Sequence, residues 1–431
     1  MKPMRVCLLG CGVVGGGVVR LLRANATALE ARVGAPLEIT RVLVRDAARE
    51  RVPELDAATV TTDAELALSD ESVDVVIELM GGEQPAKQYV ERAIDQGKQV
   101  VTANKMLLAL HGADLVERAQ GRGVDIAFEG AVGGGIPVIR VLREALASDT
   151  IDALTGIVNG TSNFVLTRMQ QDGATFAEAV RDAQARGFAE ADPTLDVGGF
   201  DAAHKLVVLA MLAFGARVPQ DAVPTEGIES LEPIDHAFAE RFGFVIKHLA
   251  SGKRTPDGRL ALYVHSALVP RSSPLANISG VLNAVSLEGR ALGPCLLSGR
   301  GAGDLPTAVS VVADLVDVAI ARRSGVPGLM TRAISASPAK VAPLSDVVLR
   351  HYLRFSVKDR PGVLAKITGA LGEEGVSIEQ LVQQGRGGAA DAPVEVVMLT
   401  HEAADGAVGR ALTRIAREEF IARPPQRLRV H

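Results

Sequence analysis

Short apolar runs alternate with amphipathic segments over the first 130 residues. Met4–Leu9 (MRVCLL), Leu37–Val44 (LEITRVLV), Val73–Leu79 (VDVVIEL), Gln99–Thr102 and Val124–Phe128 read as short buried strands. Helical spacing fills the gaps: Val18, Val19, Leu21, Leu22 and Leu29 after the first run, then Pro85–Gln96 and Leu107–Gln120. Strands alternating with helices predict a parallel sheet covered on both faces. Beyond Val141 the pattern is mixed. Ile151–Asn159 and Leu260–Leu268 read as strands, and Phe200–Gly215 as a helix. Ala302–Ile320 reads as an apolar helix that packs back on the first domain. SASPAKVAPLSD (Ser335–Asp346) marks a linker. The pattern then changes to strand Leu353–Val357, helix Val363–Leu371, strands Val376–Val382 and Val394–Leu399, helix Ala407–Glu418 and strand Leu428–Val430. That order, βαββαβ, predicts a ferredoxin-like module.

The first strand runs into Gly10-x-Gly12-x-x-Gly15. In a βαβ unit this spacing forms a dinucleotide-binding turn. Gly10 permits the tight turn, Gly12 admits the pyrophosphate and Gly15 allows close helix–strand packing. Val13 and Val14 open the helix, whose free N–H groups and partial positive charge face the phosphates. The end of the second strand chooses the cofactor: an acid binds the ribose 2′-hydroxyl of NAD, an arginine the 2′-phosphate of NADP. The residue is Arg45, followed by Asp46, which favours NADP and leaves NAD open.

The same stretch has an export reading, since MKPMR is basic and Leu8-Leu9-Gly10-Cys11 resembles a lipoprotein cleavage site. A secretory apolar region needs about 7–15 residues, whereas glycines interrupt this one after Val6–Leu9. No run reaches the roughly 18 apolar residues of a membrane span. At 431 residues the chain has room for about three domains: 1–140, 141–334 and 348–431, with 335–347 as linker. A formal charge of −5 with no long basic run argues against nucleic acid. Three cysteines (Cys7, Cys11, Cys295) at no metal or disulfide spacing suit a reducing cytoplasm.

The densest chemistry lies in GFAEADPTLDVGGFDAAHK, Gly187–Lys205, with Glu190, Asp192, Asp196, Asp201 and Lys205. Asp201 and Lys205 are four apart, on one helix face. A surface ion pair is the bland reading, but the following LVVLAMLAF is apolar all round, so the helix is buried. A lysine at the mouth of a buried helix suits proton transfer to a hydroxyl or carbonyl oxygen. The extra carboxylates suit a substrate ammonium group. TANK (Thr102–Lys105) ends a parallel strand, where ligands bind in open α/β sheets, although on chemistry alone a solvated lysine in a helix first turn is the stronger reading of Lys105. FEGAVGGGIP (Phe128–Pro137) is either a hinge or a turn presenting carbonyl oxygens to a hard cation.

Taken together, ELMGG, TANK, EGAVGGGIP, NGTSNF, GFAEADPTLDVGGFDAAHK and GRGAGDLPTA resemble homoserine dehydrogenase, in order from Met4 to about Ile334. The resemblance implies a Rossmann NAD(P)-binding domain followed by an α+β catalytic and dimerisation domain. It implies reversible interconversion of L-aspartate 4-semialdehyde and L-homoserine, a step toward threonine, methionine and isoleucine, by a homodimer or homotetramer. By matching position, Lys205 is the implied acid/base, Lys105 a second lysine of the site, and Glu190 and Asp201, joined by Asp196, the implied substrate ligands. Lys105 and Gly301 are implied at the cofactor. Glu129 and the carbonyls of Val132, Gly134 and Ile136 match the family's sodium site. The chain departs from the family pattern at Glu83, Gln84, Arg300 and Asp304, all near the cofactor cleft. VKDRPGVLAKITGALGEEGVSIEQL resembles an ACT domain, a regulatory amino-acid-binding module. Asp359, Arg360 and Gly362 precede its first helix and are the implied effector contacts; the implied effector is L-threonine.

Rival readings remain on the residues alone. Aspartate-semialdehyde dehydrogenase needs a nucleophilic cysteine, and Cys295 has no evident base partner in sequence. Phosphoglycerate dehydrogenase does not account for Asp201 and Lys205. A non-catalytic sensor would bind NADP and an amino acid without turnover.

Overall fold

The computed structural model describes residues 2–384 and 393–431. It divides into two compact units. The first comprises Met1–Leu154, His204–Asp221 and Leu282–Ala339; the second comprises Thr155–Ala203, Ala222–Val281 and Lys340–His431. The units are interleaved along the chain.

The first unit holds a six-stranded, all-parallel sheet. Its strands are β1 (Met4–Leu9), β2 (Leu37–Leu43), β3 (Val60–Thr61), β4 (Val75–Glu78), β5 (Gln99–Thr102) and β6 (Ile126–Ala127), in the order β3-β2-β1-β4-β5-β6. That is the Rossmann order, with its crevice between β1 and β4, where the winding reverses. Val6–Leu9 of β1 and Val75–Ile77 of β4 are unbroken apolar runs because both faces of these strands are covered. The two-residue β3 was not anticipated; it is too short to carry a period. Helix Val13–Ala24 lies against helix Asp304–Arg323, and Val18, Val19 and Leu22 share a core with Val311 and Leu315. The helices meet at Gly17, where an added Cβ would lie 2.7 Å from the Asp304 carbonyl oxygen and 3.0 Å from the Ala308 Cβ.

In the second unit, strand Phe244–Arg254 pairs antiparallel with Leu260–Pro270. The C-terminal module follows as strand Val348–Lys358, helix Val363–Glu373, strands Ile378–Gln384 and Pro393–Thr400, helix Asp405–Ile415 and strand Ile421–Val430. The ferredoxin-like reading is correct. Its last strand is far longer than the expected Leu428–Val430. Pro424 and Pro425 hide it in the sequence, and the sheet accommodates them by a register shift between Arg354 and Ser356 of the neighbouring strand. This last strand also pairs in parallel with Leu260–Pro270, at Ala267↔Arg429 and Leu268↔Val430. One sheet therefore continues from the catalytic segments into the module.

The stretch read as a linker is hydrogen-bonded throughout. Ser337–Pro338 pairs with Ala216–Arg217, and the Leu260 backbone donates to Lys340 and accepts from Ala342. Strand Ile151–Ile157 ends before Asn159, which instead caps helix Gly160–Asp172 by accepting from the Ser162 N–H at 2.7 Å.

Asp235, fully buried on helix Pro233–Arg241, joins the module to this unit. Its carboxylate accepts from the Tyr352 hydroxyl at 3.0 Å and from Arg354 Nε and Nη2 at 2.7 and 3.1 Å. Burying an ion pair yields little net stability, but removing one partner strands the other. Asp235→Ala should therefore lower the unfolding free energy by about 3 kcal/mol, read as a shift in the urea midpoint. A loss under about 1 kcal/mol would mean that Glu232 and Glu395 already satisfy Arg354.

Candidate active site

The β1–β4 crevice is a cavity of about 750 Å3. Its lining includes Gly10, Cys11, Gly12, Arg45, Asp46, Arg49, Arg51, Met80, Gly81 and Gln84. Gly10 adopts φ +92°, and a Cβ there would lie 2.9 Å from the Leu79 carbonyl oxygen. A Cβ on Gly15 would lie 2.6 Å from the Gly10 oxygen. Gly12 has ordinary φ and nothing within 4 Å of its Cβ position. Gly10 and Gly15 are thus required by the fold, while Gly12 leaves open space of the kind a pyrophosphate needs. Gly12 caps helix Val13–Ala24 without any side-chain hydrogen bond, so the N–H groups there are unshielded. The residues present fit a dinucleotide.

Arg45 lines this cavity and is exposed. The Asp46 carboxylate is turned onto its own loop, accepting from the Ala48 N–H at 2.9 Å. Arg51 donates to the carbonyls of Asp46, Ala47 and Arg49 and so ties the loop together. Arg49 and Arg51 were not singled out in the sequence, although both stand in the same arginine-rich loop.

Across the crevice, Glu78 is fully buried, and burial raises its carboxyl above the ordinary range. It accepts from the Thr102 hydroxyl at 2.6 Å and the Met80 N–H at 2.7 Å. Asn104 donates to the Gly82 carbonyl at 2.7 Å and caps helix Lys105–Arg122 at the Leu107 N–H. ELMGG and TANK are therefore one hydrogen-bonded structure, with Lys105 at its rim as the first helical residue.

Helix Phe200–Phe214 is buried almost throughout, as its apolar circumference requires. Asp201 and Lys205 are only 4% and 7% exposed. Asn159 Nδ2 donates to Asp196 Oδ1 at 2.7 Å and to Asp201 Oδ2 at 2.8 Å. Two carboxylates are thus brought together by an amide that reading residue by residue did not pick out. Its signal in the sequence was its place at the head of the NGTSNF motif, read there as the end of a strand. Glu190 and Asp192 are exposed, and Asp192 caps the Thr194 turn.

The Glu129 carboxylate accepts from the N–H groups of Ile139 and Arg140 at 2.9 and 2.8 Å. The Gly134 carbonyl accepts from the Ser310 hydroxyl at 2.6 Å, and that of Ile136 from the Val138 N–H at 2.8 Å. Among the described residues no three His, Cys, Asp or Glu side chains are grouped to hold a metal. A cation at this turn would rely on Glu129 and on backbone oxygens, an all-oxygen set suited to a hard ion. Asp314, beside Glu129, is pushed up to about 8 by burial and by the Glu129 charge. Gly301 is packed on Asn283, and a Cβ on Gly134 would meet the Gly301 oxygen at 2.6 Å. Asp304 pairs with Arg20 at 2.8 Å and bonds the Leu305 N–H, which accounts for one departure from the family pattern. In the module, Asp359, Arg360 and Gly362 lie exposed before helix Val363–Glu373.

The family models agree with this geometry. A homoserine dehydrogenase NAD-binding domain matches residues 10–129, a homoserine dehydrogenase domain 137–316 and an ACT domain 351–420. A homoserine dehydrogenase of Pseudomonas aeruginosa is 42% identical, covering 100% of this chain and 99% of its own. The chain belongs to the homoserine dehydrogenase family. A crystal structure of a homoserine dehydrogenase from Thiobacillus denitrificans has a TM-score of 0.94 at 40% identity, over 100% of this chain and 99% of that one. A hyperthermophilic archaeal homoserine dehydrogenase in complex with NADPH shares the fold over 74% of this chain and 98% of its own, with a TM-score of 0.62 at 23% identity. Family membership makes this protein an NAD(P)-dependent oxidoreductase of amino-acid biosynthesis, and the phosphoglycerate dehydrogenase and aspartate-semialdehyde dehydrogenase readings fall away.

The three turn glycines separate fold from binding. Gly12→Ala should leave the melting temperature unchanged while weakening NADPH binding roughly tenfold or more, by fluorescence titration. Unweakened binding would place the pyrophosphate elsewhere.

Proposed function

We propose that this homoserine dehydrogenase interconverts L-aspartate 4-semialdehyde and L-homoserine with NADP as its preferred cofactor and Lys205 as the acid/base. The observation that carries the reading is the buried helix Phe200–Phe214. It bears Lys205 one turn after Asp201, and Asp201 is fixed by Asn159. NADPH, held at the Gly10–Gly15 turn and Arg45, would supply a hydride to the aldehyde carbon. The Lys205 ammonium gives a proton to the carbonyl oxygen as that bond becomes a hydroxyl; in the reverse direction its amine takes the proton back. Asp201, Asp196 and Glu190 hold the substrate ammonium group, and Lys105 is the second lysine at the substrate and cofactor. The withdrawn Asp46 and the exposed Arg45 support NADP over NAD, and NADPH is the cofactor named for the archaeal structure.

The remaining assignments complete the reading. Glu129 with the carbonyls of Val132, Gly134 and Ile136 would hold sodium, which would brace that turn. Asp359, Arg360 and Gly362, before an exposed helix start, would bind L-threonine as feedback effector. We place the enzyme in the cytoplasm as a homodimer or homotetramer. We divide the chain at 1–140, 141–334 and 348–431, with 335–347 between, a division supported by family matches over 10–129, 137–316 and 351–420. No helix among the described residues is long and apolar enough to cross a membrane.

The direct test follows NADPH oxidation with L-aspartate 4-semialdehyde, with and without L-threonine, in sodium and in potassium buffer. Turnover lowered by threonine supports reaction and regulation together. Turnover indifferent to threonine leaves the module with another ligand. Binding of NADPH without turnover would revive the sensor reading. Lys205→Ala should cut kcat by about 10²–10⁴ with NADPH affinity within about twofold; a normal kcat would remove Lys205 from the mechanism. Arg45→Ala should raise KM for NADPH about tenfold or more and leave KM for NADH within about twofold. Equal effects would mean that the 2′-phosphate is read elsewhere.

A further inference from the structure

Arg429 lies near the end of the last strand of the C-terminal module, and its side chain is 1% exposed. Its Nε donates to Asp405 Oδ1 at 2.7 Å and its Nη1 to Glu226 Oε2 at 2.6 Å. Asp405 starts a helix of the module, whereas Glu226 belongs to the catalytic segments. Glu226 sits in Pro224–Ile228, a length of chain fixed on several sides. The Glu226 N–H donates to the Val264 carbonyl at 2.8 Å, and the Val264 N–H to the Pro224 carbonyl at 2.9 Å. The Glu226 carbonyl bonds the His248 Nε2 at 2.9 Å, and the Ile228 N–H donates to the Val197 carbonyl at 2.9 Å.

The substrate turn rests on this same length of chain. A Cβ on Gly199 would lie 2.9 Å from Thr225 Cγ2, 3.1 Å from His248 Cε1 and 3.2 Å from the Glu226 oxygen. A Cβ on Gly227 would lie 2.6 Å from the Val197 oxygen and 2.9 Å from the Gly198 Cα. The two lengths of chain therefore pack closely: Gly227 meets the backbone of Val197 and Gly198, and Gly199 meets the Thr225 and His248 side chains and the Glu226 carbonyl, so a displacement of one is passed to the other. Asp201 follows Gly199 by two residues, and it is held by Asn159 at 2.8 Å.

We infer that Arg429 is a positioning residue for the substrate site: by holding Glu226 it fixes Thr225–Gly227, which in turn fixes the Val197–Gly199 turn and so the place of Asp201. The inference rests on the proposal that Asp201 binds homoserine. It gives the module a role in building the active site, distinct from sensing an effector. Neither Arg429 nor Glu226 touches substrate; both act through the turn.

The test uses full-length Arg429→Gln, Arg429→Lys and Glu226→Gln, assayed in the direction of homoserine oxidation. Arg429→Gln should raise KM for L-homoserine about three- to thirtyfold and leave KM for NADP within about twofold. Arg429→Lys, which keeps the charge, should recover part of that loss. Glu226→Gln should behave like Arg429→Gln, and the double variant should be no worse than the worse single one, since both act through one contact. A merely structural role would lower the melting temperature without splitting the two KM values. Unchanged homoserine KM in folded Arg429→Gln and Glu226→Gln overturns the inference. Should Arg429→Gln fail to fold, Glu226→Gln decides alone, because that carboxylate is 44% exposed. If the unaltered enzyme does not oxidise homoserine, it is the functional reading that fails. The inference is then read from hydrogen exchange at Gly198–Ala202: faster exchange in the variants sustains it, and unchanged exchange sinks it.

Discussion

Carboxylates buried away from water organise this molecule. A carboxylate in an apolar interior is costly unless every lone pair finds a donor. In this chain the donors repeatedly come from distant segments. Glu78 takes the Thr102 hydroxyl and the Met80 N–H, Glu129 the N–H groups of Ile139 and Arg140, and Asp201 the amide of Asn159. Asp125 accepts from the N–H groups of Gly328, Met330 and Thr331. Each acid pins a loop that has no hydrophobic reason to stay where it is. Loops at strand ends carry the chemistry in this fold, so the buried acids decide how well that chemistry is placed.

Glycine supplies the complementary constraint of close approach. At Gly15 the first helix meets the glycine turn, at Gly17 it meets helix Asp304–Arg323, and at Gly199 the Val197–Gly199 turn meets Thr225 and His248. A Cβ at any of these points would lie within 3.0 Å of another atom. The acids hold loops by donors and the glycines let backbone reach them. Together they leave a site whose parts cannot shift singly.

Much of this was legible along the chain, because it obeys local rules. Strand and helix periods gave the Rossmann alternation, the glycine spacing gave the turn, and the apolar circumference of Phe200–Phe214 announced that Asp201 and Lys205 would be buried. What was hidden is non-local. Asn159 is an ordinary helix cap until the fold brings Asp196 and Asp201 to it. Glu78 is the polar end of an apolar strand until Thr102 arrives from the next one. The length of the last strand was masked by Pro424 and Pro425, which sheets accept only where the register slips. The interleaved units follow from the same cause, since a segment's neighbours are set by burial across the whole chain.

The joint between the module and the catalytic segments shows how few backbone contacts such a union needs. Strand Leu260–Pro270 is buried along nearly its whole length, and an unpaired edge of that kind invites wrong partners. The module covers it with two register pairs and the His431 N–H to the Leu268 carbonyl, while Thr225 bridges it at Val264. So short a ladder fixes direction and register weakly. The charges beside it are specific where the ladder is not. Arg429 must meet both Asp405 and Glu226, and Arg354 must meet Asp235, and a slip of one residue would turn either guanidinium to the opposite face of the sheet. The module is part of the sheet, and a ligand bound to it would act on a structure continuous with the Val197–Gly199 turn.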